Sequence, residues 1–109
     1  MIELTKENFD EIIRKKPTLV DFWAPWCAPC KALTLVLEEV DKSSPKFQIG
    51  KINIDEQPEL GQRFDIRSIP TLIFFKNGIE IVMYSGERTK DAILKWGNNE
   101  AKDSLEATQ

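Results

Sequence analysis

The spacing of hydrophobic positions along the chain switches between a helical period and a strand-like run. A helix is predicted to begin near Cys27 and end before Pro45, because its apolar residues fall at i, i+3, i+4 and i+7: Leu33, Val36, Leu37 and Val40. In contrast, residues 19–23 form a nearly continuous apolar run interrupted only by Asp21, as a strand covered on both faces requires. Helices and buried strands therefore alternate.

The same patterns place the remaining elements. Thr5 is predicted to cap a first helix that ends before Pro17, and Thr89 to cap a last helix. Further strands are predicted at about 47–54, 71–75 and 79–84, with a short helix at 58–64. Asn77-Gly78 predicts a two-residue hairpin turn, because both turn positions need positive φ. The order α-β-α-β-α-β-β-α indicates an α/β fold: a mixed central sheet with helices on both faces.

Length and charge limit the classes of function. A chain of 109 residues has room for one domain, 1–109, in which about 99–109 form a polar tail expected to fray. The formal net charge of -3 offers no basic field for nucleic acid, and no apolar stretch is long enough to cross a membrane. The first residues lack the features of a secretory signal, so we expect a cytoplasmic protein. We also expect the protein to be a monomer.

Two cysteines stand where a predicted buried strand gives way to a helix, in Cys27-Ala28-Pro29-Cys30. This spacing lets both sulfurs meet within one helical turn. The helix start favours a thiolate on Cys27, which we expect to attack, while Cys30 points toward the core as the resolving thiol. The absence of histidine from the chain removes the positive neighbour of strongly oxidising sites and favours a reducing potential.

Three other interpretations of the cysteines remain open at this point. They could be buried as small apolar residues, although two prolines beside them disfavour this. A zinc site within one chain would need carboxylate ligands, because the chain offers two thiols and no imidazole. A metal or iron–sulfur site shared by two chains is the third alternative.

Four motifs, one of which contains the cysteines, resemble the thioredoxin family in their residues, their order and their spacing. They are Val20 to Lys31, Lys51-Ile52-Asn53-Ile54-Asp55, Ile69-Pro70-Thr71-Leu72 and Phe75-Lys76-Asn77-Gly78. The resemblance covers about residues 2–96 and implies a thioredoxin-like sheet, no bound cofactor or metal, and a redox-active Cys27–Cys30 disulfide. It implies a protein disulfide reductase that is recharged by thioredoxin reductase, which draws on NADPH or ferredoxin.

The resemblance also assigns further site residues. Asp21 is expected to be a buried acid that exchanges the Cys30 proton, with Lys51 modulating it. Burial of an ionisable group in an apolar strand, with a raised pKa, fits the same role, although Asp21 could instead lie at a solvated bend. Pro70 matches the family's cis-proline. The expected docking surface for substrate is apolar: Trp26, Ala28, Pro29, Ile69, Pro70 and Gly86. Trp26 is expected to be partly exposed, although it could instead be a buried core residue.

Three positions depart from the family's usual pattern. Ala28 replaces a glycine and is expected to crowd the docking surface, and Ser68 adds a hydroxyl near it. Leu35 replaces a helix-kinking proline, which predicts a straighter helix in which Leu35 packs in a second contact. Two alternative functions stay open: an oxidising or isomerising thiol–disulfide enzyme on the same fold, and a non-catalytic binding module that uses the surface around Trp26.

Overall fold

The computed structural model describes residues 1–43 and 45–102. In chain order its elements are β1 (Ile2–Glu3), α1 (Phe9–Lys15), β2 (Thr18–Trp23), α2 (Ala28–Lys42), β3 (Gln48–Asn53), α3 (Pro58–Arg63), β4 (Thr71–Lys76), β5 (Ile79–Met83) and α4 (Lys90–Glu100). The five strands form one sheet in the order β1-β3-β2-β4-β5. The predicted α/β class and mixed sheet are thus confirmed.

The direction of pairing follows the connections between the strands. β2 and β3 run parallel because helix α2 crosses between them, whereas β4 and β5 run antiparallel through the tight turn. Asn77 and Gly78 both have positive φ, 58° and 79°, as the hairpin signal predicts. Strand β4 also pairs antiparallel with β2, which places β2 in the centre of the sheet.

Two hydrophobic clusters lie on opposite faces of the sheet. Alternate residues of β2 divide between them: Val20 and Phe22 pack with α1 and α3, and Leu19 packs with α2 and α4. Asp21 shares the side of Leu19 by this alternation, so its side chain is directed to the face that carries the cysteine helix. The predicted α2 stripe contributes three fully buried residues to that face, Leu33, Leu37 and Val40.

Local differences from the predicted elements have simple causes. Strand β1 was missed because two residues cannot show a period; it exists through parallel pairing with β3. Helix α1 begins at Phe9 rather than directly after Thr5. Thr5 and Asn8 exchange hydrogen bonds, backbone to side chain in both directions, across a turn that precedes this helix.

Two further predictions need correction. Leu35 makes no second packing contact: its side chain is 65% exposed, on the side of α2 opposite the buried stripe. Helix α4 continues through Glu100, so residues 99 and 100 are helical rather than part of a frayed tail. Residues 103–109 of the expected tail lie outside the described residues.

Candidate active site

The two cysteines form a disulfide at the start of α2. Cys27 is the N-cap of the helix and Cys30 lies in its first turn, with their Cα atoms 5.2 Å apart. The backbone amide of Cys30 donates a hydrogen bond to the Cys27 sulfur at 3.2 Å. Pro29 fits this turn because its missing N–H would have no helical partner there. The helix start therefore places both an amide and the positive end of its dipole at Cys27.

The two cysteines differ in the fraction of their surface that is exposed to solvent. Cys27 retains 5% of its surface exposed, whereas Cys30 retains none. An amide hydrogen bond and a helix N-terminus both stabilise a thiolate relative to a thiol. Of the two cysteines, only Cys27 thus combines residual solvent exposure with the amide contact at the helix start.

Asp21 is a fully buried carboxyl group with an unusual environment. Its exposed fraction is 0%, and neither carboxyl oxygen has a hydrogen-bond partner among the described residues. Burial raises the pKa of Asp21 to about 7, while the positive charges of Lys51 and then Arg88 act in the opposite direction. The solvated-bend alternative for Asp21 is thus excluded, and its carboxyl group can change protonation near neutral pH.

Lys51 lies directly opposite Asp21 in the parallel β2–β3 pair. Its ammonium group donates a hydrogen bond to the Thr34 hydroxyl at 2.7 Å and lies 4.3 Å from the centre of the Trp23 ring. The Thr34 hydroxyl in turn donates to the Cys30 carbonyl at 3.1 Å. Residues of β3, β2 and α2 are thereby connected beside the disulfide.

A shallow groove of about 320 Å³ lies beside Trp26. Its lining residues come from the loop before α2, the turn after β3 and the loop before β4: Trp26, Ile54, Ile66, Arg67, Ser68 and Ile69. Trp26 is 69% exposed, and its indole N–H donates to the Asp55 carboxylate at 3.1 Å. The Ile69–Pro70 peptide bond at the edge of this groove is cis.

The structure brings together only part of the expected docking surface. Trp26 and Ile69 share the groove, and Ala28 and Pro29 are exposed at the start of α2. Gly86 is exposed in the loop between β5 and α4 and does not line the groove. A side chain at Gly86 would meet the Tyr84 hydroxyl at 2.6 Å unless the tyrosine side chain shifted.

Sequence reasoning missed several residues of this region. Asp55 supports Trp26, and Ile54, Ile66 and Arg67 line the groove. Thr34 was also missed, although its position one helical turn after Cys30 was a usable signal, because residues four apart lie on one helix face.

Other kinds of site find little support in the described part of the chain. No cluster of three or more histidine, cysteine, aspartate or glutamate side chains there could hold a metal ion. None of the helices described combines the length and apolar character needed to span a bilayer. A larger cavity, of about 770 Å³, is lined by Lys46 and residues of α4 together with Lys102, and includes neither cysteine.

Comparison with known proteins gives consistent matches over nearly the whole chain. The family model described as Thioredoxin matches residues 1–99. A thioredoxin of Rickettsia bellii is 43% identical over 99 residues, covering 88% of this chain and 94% of its own length. One of Alicyclobacillus acidocaldarius is 45% identical over 92 residues, covering 83% of this chain and 88% of its own.

Solved structures match the fold as well. A mutant thioredoxin from Halobacterium salinarum superposes with a TM-score of 0.84 at 25% identity, covering 94% of this chain and 91% of its own. Human ERp44 in a zinc-bound form gives a TM-score of 0.88 at 27% identity, and the match covers 94% of this chain but 31% of that longer one.

Proposed function

The chain belongs to the thioredoxin family of protein disulfide reductases, and from that premise we propose how its residues divide the reaction. Cys27 is the nucleophile, Cys30 the resolving thiol, Asp21 the proton acceptor and donor, and Lys51 the group that modulates Asp21. The observation that carries this proposal is the Cys30 amide donating to the Cys27 sulfur at the helix start. That hydrogen bond stabilises a thiolate on Cys27.

The first step forms a mixed disulfide. In the reduced protein the Cys27 thiolate attacks one sulfur of a substrate disulfide, a Cys27–substrate S–S bond forms, and the substrate S–S bond breaks. The second substrate sulfur leaves as a thiolate and takes a proton from solvent. The small exposed fraction that Cys27 retains, against none for Cys30, supports this order of attack.

The second step releases the substrate. Cys30 loses its proton to the Asp21 carboxylate and attacks the Cys27 sulfur, so that the Cys27–Cys30 bond forms and the substrate leaves as a second thiolate. Two electrons have then passed from the protein to the substrate. A pKa of about 7 supports Asp21 in this role, because such a group can both accept and return a proton near neutral pH.

Substrate docking is proposed at the surface between Trp26 and Ile69, with Ala28, Pro29, Pro70 and Gly86 contributing around it. The groove is shallow and largely apolar, which suits an extended segment of a disulfide-containing protein held mainly by backbone contacts. Family membership implies such target proteins. Thioredoxin reductase, fed by NADPH or ferredoxin, is the proposed source of electrons, and the cytoplasm the proposed location.

Two cysteine variants test the division of labour, with reduction of insulin disulfides as the assay. Cys27→Ser is expected to abolish turnover, because no nucleophile remains at the helix start. Cys30→Ser is expected to capture one substrate molecule as a covalent adduct on Cys27, detected by intact mass spectrometry and released by a small dithiol. Full multiple turnover by Cys30→Ser would contradict the two-thiol mechanism.

A redox titration separates a reductase from an oxidising enzyme on the same fold. Equilibration with glutathione is expected to give a potential nearer the family value of about -270 mV than the value of about -120 mV found for a strongly oxidising member. The expected reason is that no imidazole stands beside Cys27 to stabilise its thiolate further. A potential near the oxidising value would favour the alternative function.

A further inference from the structure

The hydroxyl group of Thr34 forms hydrogen bonds to two parts of the candidate site, one from the Lys51 side chain and one to the Cys30 backbone. It accepts a hydrogen bond from the Lys51 ammonium at 2.7 Å and donates one to the Cys30 carbonyl at 3.1 Å. A hydroxyl has one proton to donate and two lone pairs that accept. Donation to Cys30 therefore leaves the oxygen as an acceptor, oriented for a cation such as Lys51.

The cleft that Lys51 lines also contains acidic side chains. Three acidic residues line the same cleft of about 490 Å³: Glu3, Glu38 and Glu56. A lysine side chain loses rotamer freedom when it is held in one conformation. The conformation beside β2 therefore needs specific contacts, and those present are the Thr34 hydroxyl and the face of the Trp23 ring.

The position of this ammonium group affects Asp21 electrostatically. Lys51 is opposite Asp21 in the strand pair, and its positive charge favours the ionised carboxylate. The other positive charge that acts on Asp21 is Arg88, from the loop before α4. The Thr34 hydroxyl bonds to Lys51 and to the Cys30 carbonyl, not to Arg88, so a change at Thr34 is expected to reach Asp21 through Lys51 alone.

We propose that Thr34 is a positioning residue: its hydroxyl holds the Lys51 ammonium beside Asp21 and ties it to the backbone of the resolving Cys30. The inference rests on the proposed role of Asp21 in proton exchange. The Thr34 hydroxyl is bonded to the Cys30 backbone and to Lys51, so it acts by fixing a charge. Without the hydroxyl, the lysine is free to turn toward the acidic residues of the cleft, and Asp21 keeps its proton to higher pH.

The experiment is a double-mutant cycle read by the titration of the Asp21 carboxyl carbon in NMR, on the oxidised protein. Thr34→Val removes the hydroxyl and keeps the branched shape, whereas Thr34→Ser keeps the hydroxyl. Each is made in the natural chain and in Lys51→Met. Thr34→Val is expected to raise the Asp21 midpoint by about half a pH unit, roughly threefold in ionisation constant.

In Thr34→Ser the Asp21 midpoint is expected to equal that of the natural protein. In the double variant Thr34→Val/Lys51→Met the midpoint is expected to equal that of Lys51→Met alone. An unchanged midpoint in Thr34→Val, or an equal shift with and without Lys51, would overturn the proposal. Thr34→Ala supplies a second hydroxyl-free variant if valine disturbs the helix. Because the titration needs no turnover, its outcome is separate from that of the insulin assay, which tests the proposed function.

Discussion

Two buried polar side chains in the central strand β2, Thr18 and Asp21, differ in their hydrogen bonding. Thr18, near the amino end, and Asp21, toward the carboxyl end, both have exposed fractions of 0%. The Thr18 hydroxyl donates to the Lys16 carbonyl and accepts from the Gln48 side-chain amide, each at 2.9 Å. The Asp21 carboxyl oxygens have no hydrogen-bond partner among the described residues.

The difference separates a polar group that stabilises the fold from one that costs stability. A buried hydroxyl with both partners adds modestly to stability, whereas burial of a carboxyl group without a protein partner costs stability. That cost falls mainly on the ionised form, which is why the pKa of Asp21 rises to about 7. The carboxyl end of β2, next to the disulfide, thus gives up stability for a group that can exchange protons.

Asp21→Asn is the change with the largest expected effect on this contrast. The pKa of Asp21 is about 7 in the folded protein against an ordinary value of 3.8, so the folded state binds the proton more tightly. Stability therefore falls as pH rises from about 4 to about 7, by a total of about 4 kcal/mol. The asparagine side chain carries no such proton, so urea unfolding of the oxidised variant should match the natural protein near pH 4 and exceed it by about that amount at pH 8.

The asparagine variant is also expected to change the reaction, and its stability needs to be compared in one redox state. Its resolution of the mixed disulfide is expected to slow by about tenfold or more, because the proposed proton acceptor for Cys30 is gone. The stability comparison is made on the oxidised forms, in which the cysteines do not titrate. Equal pH dependence of unfolding in the two proteins would show that Asp21 is ionised normally in the fold.

Thr18→Val is the matching change at the other end of β2, with a smaller and opposite effect. It leaves the Lys16 carbonyl without this partner, while the Gln48 amide keeps its other bond to the Ile12 carbonyl. We expect a loss of about 1–3 kcal/mol in the free energy of unfolding, equal at pH 5 and pH 8. Disulfide reduction should be unchanged; a strongly pH-dependent loss would mean that the two ends are electrostatically coupled.

Asp55→Ala removes a polar contact at the surface and has the smallest expected effect on stability. The Trp26–Asp55 hydrogen bond is exposed, so its loss should cost less than about 1 kcal/mol in urea unfolding. Trp26 would lose its fixed orientation beside the groove, and capture of substrate by the Cys30→Ser variant should slow by a few fold. Asp55→Asn keeps an acceptor oxygen and serves as the control. A large loss of stability would show that the Trp26 contact supports the fold itself.

Much of the architecture was predictable because local signals were strong. The α2 stripe, the hairpin at Asn77-Gly78 and the Thr89 cap depend on residues close in sequence, and all three are present. The packing predicted for Leu35 was wrong because helical periodicity identifies the buried face but says nothing about whether another element covers the opposite one. Leu35 is on that uncovered side.

The site was predictable in its cysteines and only partly in its surroundings. The Cys27–Cys30 spacing, with a strand before it and a helix after it, pointed to a disulfide without any knowledge of the fold. The location of Asp21 within an apolar run pointed to burial. Neither signal indicated that Asp55 would orient Trp26, because those two residues are 29 positions apart.

Local patterns along the chain predicted the helices, most strands, the hairpin and the position of the two cysteines at a helix start. These depend on periodicity, turn chemistry and spacing, which act over a few residues. Packing of the whole fold was needed to show that β1 pairs with β3, that Asp21 has no hydrogen-bond partner in the described chain, and that Lys51 reaches Thr34. Those outcomes depend on which side chains the packed sheet and helices bring together, and no local pattern records that.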